Sequence, residues 1–203
     1  MNTNQPWYKG KKMKSENTNT GIGNRKNGGF ALTELLLAIG IIALILGAVA
    51  AIAISTSASQ TAQSEARLLD SAAGKIRSIY SSRADFAGLN TQASIDVEAW
   101  PTNMVDAGSV YNAWGGGVTV TAPAPNAYSG QVASRLFQID SKNVSQDACA
   151  SFATANTSAL AVEVAGTPVY ERGNAALDPV DSAAVAANCA DGVTVSFIYG
   201  KNG

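Results

Sequence analysis

From Phe30 to Ile54 the chain reads FALTELLLAIGIIALILGAVAAIAI, a run of 25 residues whose only charge is Glu34. At 1.5 Å per residue, a helical Leu35–Ile54 spans about 30 Å, the thickness of a bilayer's hydrocarbon core. A helix that is apolar on every side has no face for water, so it requires lipid or other helices around it. Three fates fit such a segment: a permanent anchor, a secretory signal, or a helix that sits first in the membrane and is used elsewhere later. The signal reading has Ala48-Val49-Ala50 and Ala51-Ile52-Ala53 as small-x-small cleavage sites. Against it, an apolar signal core normally has roughly 7–15 residues and no carboxylate near its start. A plain anchor is allowed by length, yet a carboxylate inside a membrane helix costs on the order of 2.5–3.5 kcal/mol. Glu34 lies one turn into the segment, where snorkelling to the interface is the plain explanation.

The charges around the run are polarised. Residues 1–29 hold Lys9, Lys11, Lys12, Lys14, Arg25 and Lys26 against Glu16, which leaves eight Lys/Arg against fourteen Asp/Glu in the remainder. A basic leader directly before an apolar helix keeps the N-terminus cytoplasmic, because Lys and Arg resist translocation. The competing reading, a nucleic-acid arm, lacks a basic face in the acidic remainder to continue a phosphate track. The chain has no histidine and two cysteines, which removes His-based acid–base catalysis and the usual zinc, haem and iron–sulfur ligand sets. A Ser or Cys triad lacks its base. Asp178/Asp181 and Asp96/Glu98 are acid pairs open to Ca²⁺, but without an Asp-x-Asp-x-Asp-Gly spacing they read as solvated surface acids. The expectation is a protein that is not an enzyme, with no catalytic residues, no cofactor and no metal.

Residues Gly28-Gly29-Phe30-Ala31-Leu32-Thr33-Glu34 follow the basic leader and open the apolar run. Leader, paired glycines, aromatic residue, acid and apolar helix, in that order, resemble the prepilin signature of type IV pilins and type II secretion pseudopilins. The resemblance implies that a membrane prepilin peptidase/N-methyltransferase cuts between Gly29 and Phe30 and methylates the new amine of Phe30. It implies also that Glu34 guides assembly at an inner-membrane platform into a homo-oligomeric helical filament. The chemistry agrees. The freed amine of Phe30 is a cation four residues before Glu34, and a neighbour in the wrong axial register would leave both charges buried and unpaired. Side-chain-free Gly28 and Gly29 let an extended backbone lie close in a peptidase cleft.

The expected function is the major structural subunit of a type IV pilus, serving adhesion, aggregation, motility or DNA transfer, with a host-surface or cell-surface receptor as a further partner. A minor pilin or secretion pseudopilin is the alternative, and a membrane-anchored periplasmic binding domain that keeps residues 1–29 is the second. The precursor would sit in the inner membrane with a cytoplasmic leader and a periplasmic head, and the assembled form outside the cell. A leader of 29 residues and a mature chain of 174 resemble type IVb pilins, whereas Phe30 is more typical of type IVa. A start at Met13 would shorten the leader.

Beyond Ile54, Ala58, Ala62, Ala66, Leu69, Ala73, Ile76 and Tyr80 recur at spacings of three and four, so the helix is expected to continue to about Ser82 with one apolar stripe. No proline lies between Phe30 and Ser82, and Gly40 and Gly47 share a face that permits close helix approach. The expected divisions are a leader (1–29), a membrane or filament-core helix (30–54), its amphipathic continuation (55–82) and a globular head (83–203). In the head, alternation predicts strands at Gly117–Ala122, Ser134–Ile139, Leu160–Val164, Thr167–Tyr170 and Val193–Tyr199. Short helices are expected near Ser94–Ala99, at Ser145–Ala155, and at Pro179–Ala187 with Asp178 as N-cap. Gly115-Gly116-Gly117 reads as a turn into the sheet. One long helix followed by strands argues for an α+β fold, the helix packed on an antiparallel sheet of about four or five strands. Cys149 and Cys189 fall on the oxidising side, where a disulfide is expected and two buried free thiols are the other reading. The pilin resemblance implies that such a bond fences a variable surface region, here 149–189.

Overall fold

The computed structural model describes residues 32–156 and 158–201. The chain divides into two compact units, residues 1–43 and 44–203. The described part of the first unit is the opening of helix α1 (Leu32–Ile79), which ends three residues before the expected Ser82. The second unit holds the remainder of α1 and the head. Within it Ala62, Ala66, Leu69, Ala73, Ile76 and Tyr80 are buried, as their spacing requires, and Ala72 joins them.

The head contains β1 (Val105–Asp106), β2 (Ser109–Tyr111), β3 (Gly117–Thr121), β4 (Leu136–Val144), β5 (Ala161–Val164), β6 (Thr167–Glu171) and β7 (Val193–Gly200). They form one sheet in the order β1-β2-β3-β4-β7-β5-β6, every neighbouring pair antiparallel. The sheet has seven strands instead of four or five because β1 and β2, two and three residues long, are too short to show an alternation. β4 begins at Leu136, not Ser134, since Ala133–Arg135 forms a 3₁₀ turn, and it runs on to Val144.

Strand residues alternate between faces. Val118, Val120, Phe137, Ile139, Val162, Val164, Val195, Phe197 and Tyr199 join the α1 stripe in the main core. On the opposite face Leu136, Ile198 and Ala161 are covered by Leu160, Ala124 and Tyr128. Both faces of β4 and β7 are therefore buried along part of their length. Rings connect the layers: Phe86 meets Phe137 edge-on at 4.7 Å, Phe137 stacks on Tyr199 at 5.3 Å, and Phe152 meets Phe197 edge-on at 5.0 Å.

Three helices decorate the sheet: α2 (Thr91–Asp96), α3 (Gln146–Ala155) and α4 (Ser182–Asn188). α2 starts three residues before the expected Ser94 because Asn90 caps it, its Oδ1 accepting from the Ala93 amide at 2.9 Å. α4 corrects a sequence expectation. Its N-cap is Asp181, accepting from the Ala183 amide at 2.8 Å, and Asp178 instead accepts from the Gly173 amide at 3.0 Å. Cys149 of α3 and Cys189 at the end of α4 form a disulfide with a Cα–Cα distance of 5.8 Å. The triple glycine is a turn. Gly115 takes φ +73°, and a Cβ on Gly116 would lie 1.8 Å from the Lys142 carbonyl oxygen. Buried Asn112 organises that turn, accepting from the Trp114 and Gly116 amides and donating to Ser141 Oγ and the Lys142 carbonyl.

Candidate functional site

The candidate site is the apolar opening of α1. Leu32–Val49 has a mean hydropathy of 2.5 over 18 residues, and none of it is buried. Leu32, Leu35, Leu36, Leu37, Ile39, Ile41, Ile42, Leu44, Ile45, Leu46 and Val49 all keep at least half of their surface exposed. Because consecutive residues are involved, these side chains point to every side of the helix. A soluble monomer does not display such a continuous apolar surface, so the segment is made to be covered by lipid or by other helices. Covering each Leu, Ile or Val from water is worth about 1.5–3 kcal/mol. Between lipid and a helix bundle the hydrophobic term largely cancels, and packing and polar pairing decide.

Glu34 sits in the first turn of α1 and is exposed. A carboxylate there is favoured by the positive end of the helix dipole, and it is the sole charge of the apolar run. Gly29 and Phe30, the expected cleavage and methylation positions, lie outside the described residues. Gly40 and Gly47 stand open: a Cβ on either would meet nothing within 4 Å. Among the described residues nothing therefore demands glycine at those two places.

Two polar features of the second unit were not singled out from the sequence. Glu65 of α1 is 7% exposed, and its Oε2 has no hydrogen-bond partner. Burial pushes its carboxyl above the usual carboxylate range, and a bond from the Ala113 amide pulls the other way. Its position one turn after the buried Ala62 and one turn before Leu69 was a legible signal that it borders the stripe. The second feature is Tyr128, whose hydroxyl donates to the buried Glu163 carboxylate. Burial first, then that bond, push the phenol up to about 12. Three of the four acids weighed for Ca²⁺ are used within the fold: Asp96 accepts from Gln92, and Asp178 and Asp181 accept from backbone amides. Among the described residues no group of three or more His, Cys, Asp or Glu side chains could hold a metal.

A methylation-type junction, an apolar helix bare on all sides and a helix-backed antiparallel sheet together define a pilin. Residues 24–50 match the family model of the prokaryotic N-terminal methylation motif, and residues 58–200 match the model described as PilS N terminal. The crystal structure of a type IV b pilin from Salmonella typhi shares the fold, with a TM-score of 0.51 at 20% identity over 69% of this chain and 99% of that one. No curated protein matches the sequence. The chain belongs to the PilS family, carries the N-terminal methylation motif, and shares its fold with a type IV b pilin. The methylation motif implies processing by prepilin peptidase and assembly into a pilus, and with the apolar helix it fits a membrane-anchored precursor. The family and fold are structural, not enzymatic.

Proposed function

We propose that this chain is the major subunit of a type IVb-like pilus. The observation that carries the reading is the placement of eleven large, uncovered apolar side chains within the span of the methylation motif. The precursor is held in the inner membrane by residues 30–54, with the basic leader 1–29 cytoplasmic and the head, 83–203, periplasmic. Cleavage after Gly29 frees the amine of Phe30, which is then methylated. In the filament that cation neutralises Glu34 of a neighbouring copy, and removing either charge strands the other in an apolar core, at a cost of several kcal/mol. The pairing sets axial register, and the remaining apolar surface exchanges lipid for copies of the same helix. The amphipathic residues 55–82 join that core to the head, whose surface carries the filament's business of adhesion, aggregation, motility or DNA transfer through a cell-surface or host-surface receptor.

Tandem mass spectrometry of the N-terminal peptide from a sheared surface fraction tests this. The expected result is a peptide starting at Phe30 with one added methyl group, from a protein that makes up the bulk of the fraction. The same peptide from a trace component would make the chain a minor pilin or pseudopilin. A chain retaining Lys9 to Lys26 would make it an anchored periplasmic domain.

A further inference from the structure

The amphipathic part of α1 has two flanks that the buried stripe separates. On one flank Ser59 bonds Ser151 of α3 at 3.2 Å, while Asp70 and Arg77 both reach Ser158, at 2.6 and 3.3 Å. On the other, Lys75 donates to the Glu98 carbonyl at 2.9 Å, just past α2. At 100° per residue, the Ala62–Leu69–Ala73 line lies between these two sets.

The flanks carry opposite chemistry. Between α1 and α3 is a polar groove of about 280 Å³ lined by Gln63, Arg67, Ser151, Thr154 and Ala155. Arg67 is exposed there, and among the described residues its guanidinium has no hydrogen-bond or carboxylate partner. Five N–H donors in a planar fork are thus left for a carboxylate. The α2–β1 flank is predominantly acidic, with Lys75 of α1 lying beside Glu98. From Ala84 to Ser134 the chain has Asp85, Asp96, Glu98 and Asp106 and no Lys or Arg. Asp96, Glu98 and Asp106 are exposed, and among the described residues the carboxylates of Glu98 and Asp106 take no partner.

An open helical filament requires a heterologous contact, in which two different patches of the same subunit meet between neighbours. An acidic flank cannot meet its own copy without repulsion, whereas it complements the Arg67 groove. We propose that neighbouring copies of this chain dock heterologously, the Glu98–Asp106 flank of one copy seating on the α1–α3 groove around Arg67 of the next. The proposal rests on the filament reading above and supplies its head-to-head contact.

The test uses the full-length chain in cells. Arg67→Glu removes no bond among the described residues, so its membrane precursor should accumulate normally while sheared filament falls at least tenfold. Adding Glu98→Arg and Asp106→Arg should recover most of that yield. Independently, a chain carrying Gln63→Cys and Glu98→Cys should give a ladder of disulfide-linked multimers in sheared filament and none in the membrane pool. Normal filament yield from Arg67→Glu, or filaments of the double-cysteine chain that give no ladder, would overturn the docking. If the unaltered chain yields no filament starting at Phe30, it is the filament reading that fails, so the two failures are told apart by the unaltered chain.

Discussion

Glu65 shows how one side chain can couple head stability to pH. Its folded-state pKa is raised above 4.5, its ordinary value. Below the ordinary value both folded and unfolded chains hold the proton, and the residue is neutral in the balance. As pH rises through the raised folded value, the unfolded chain ionises freely while the folded one must bury a carboxylate with an orphan oxygen, so stability is lost toward neutral pH. Glu65→Gln keeps an acceptor for the Ala113 amide and removes the charge. It should raise the melting temperature of the detergent-solubilised chain at pH 7, by on the order of 2–4 °C, and the gain should vanish near pH 4. Tyr128→Phe should do the reverse. It leaves the buried Glu163 carboxylate without its donor, a loss of about 1.5–3 kcal/mol measurable by denaturant titration. At Glu34 the readout is assembly. Glu34→Ala should abolish filaments while the precursor persists in the membrane, and normal filaments from that variant would refute the register argument.

At the scale of elements, legibility depended on length. α1 was readable because its stripe repeats over many turns, and β3, β4, β5, β6 and β7 because four or more residues alternate or run apolar. β1 and β2 were not, since strands of two and three residues exist only through the partners they pair with. Local chemistry also misled at α4: Asp178-Pro179 has the composition of a helix start, but the Gly173 amide claims Asp178 and the cap falls to Asp181. The bond from Cys149 to Cys189 closes a 40-residue separation across α3 and α4. Cys149→Ser together with Cys189→Ser should cost about 4 kcal/mol by loop entropy, seen as an earlier thermal transition matched by the reduced wild type. Gly116→Ala should also destabilise the head, without touching the core. Its methyl would collide with the Lys142 carbonyl, which is backbone and cannot swing aside, so the head should lose at least about 2 kcal/mol in the same melts.

For the whole molecule, charge is arranged by sequence region, with six of the fourteen Lys/Arg placed in the first 29 residues. Residues 30–203, the proposed mature chain, carry eight Lys/Arg against fourteen Asp/Glu, and filaments held by contacts between Arg67 and carboxylates should loosen as salt rises, which shear yield against ionic strength would record. The sequence alone made legible the long apolar helix, the methylation motif, the amphipathic stripe and the α+β class, because these are periodic or contiguous patterns whose meaning is local. The assignment of Gly29, Phe30 and Glu34 likewise rests on contiguous residues and stays a proposal about processing and register. Only the tertiary structure decided that β7 lies between β4 and β5, that Glu65 is enclosed, and that Arg67 and Glu98 stand on opposite flanks of α1. Those facts depend on which distant segments meet, and a pattern repeating every two or four residues carries no record of its partner.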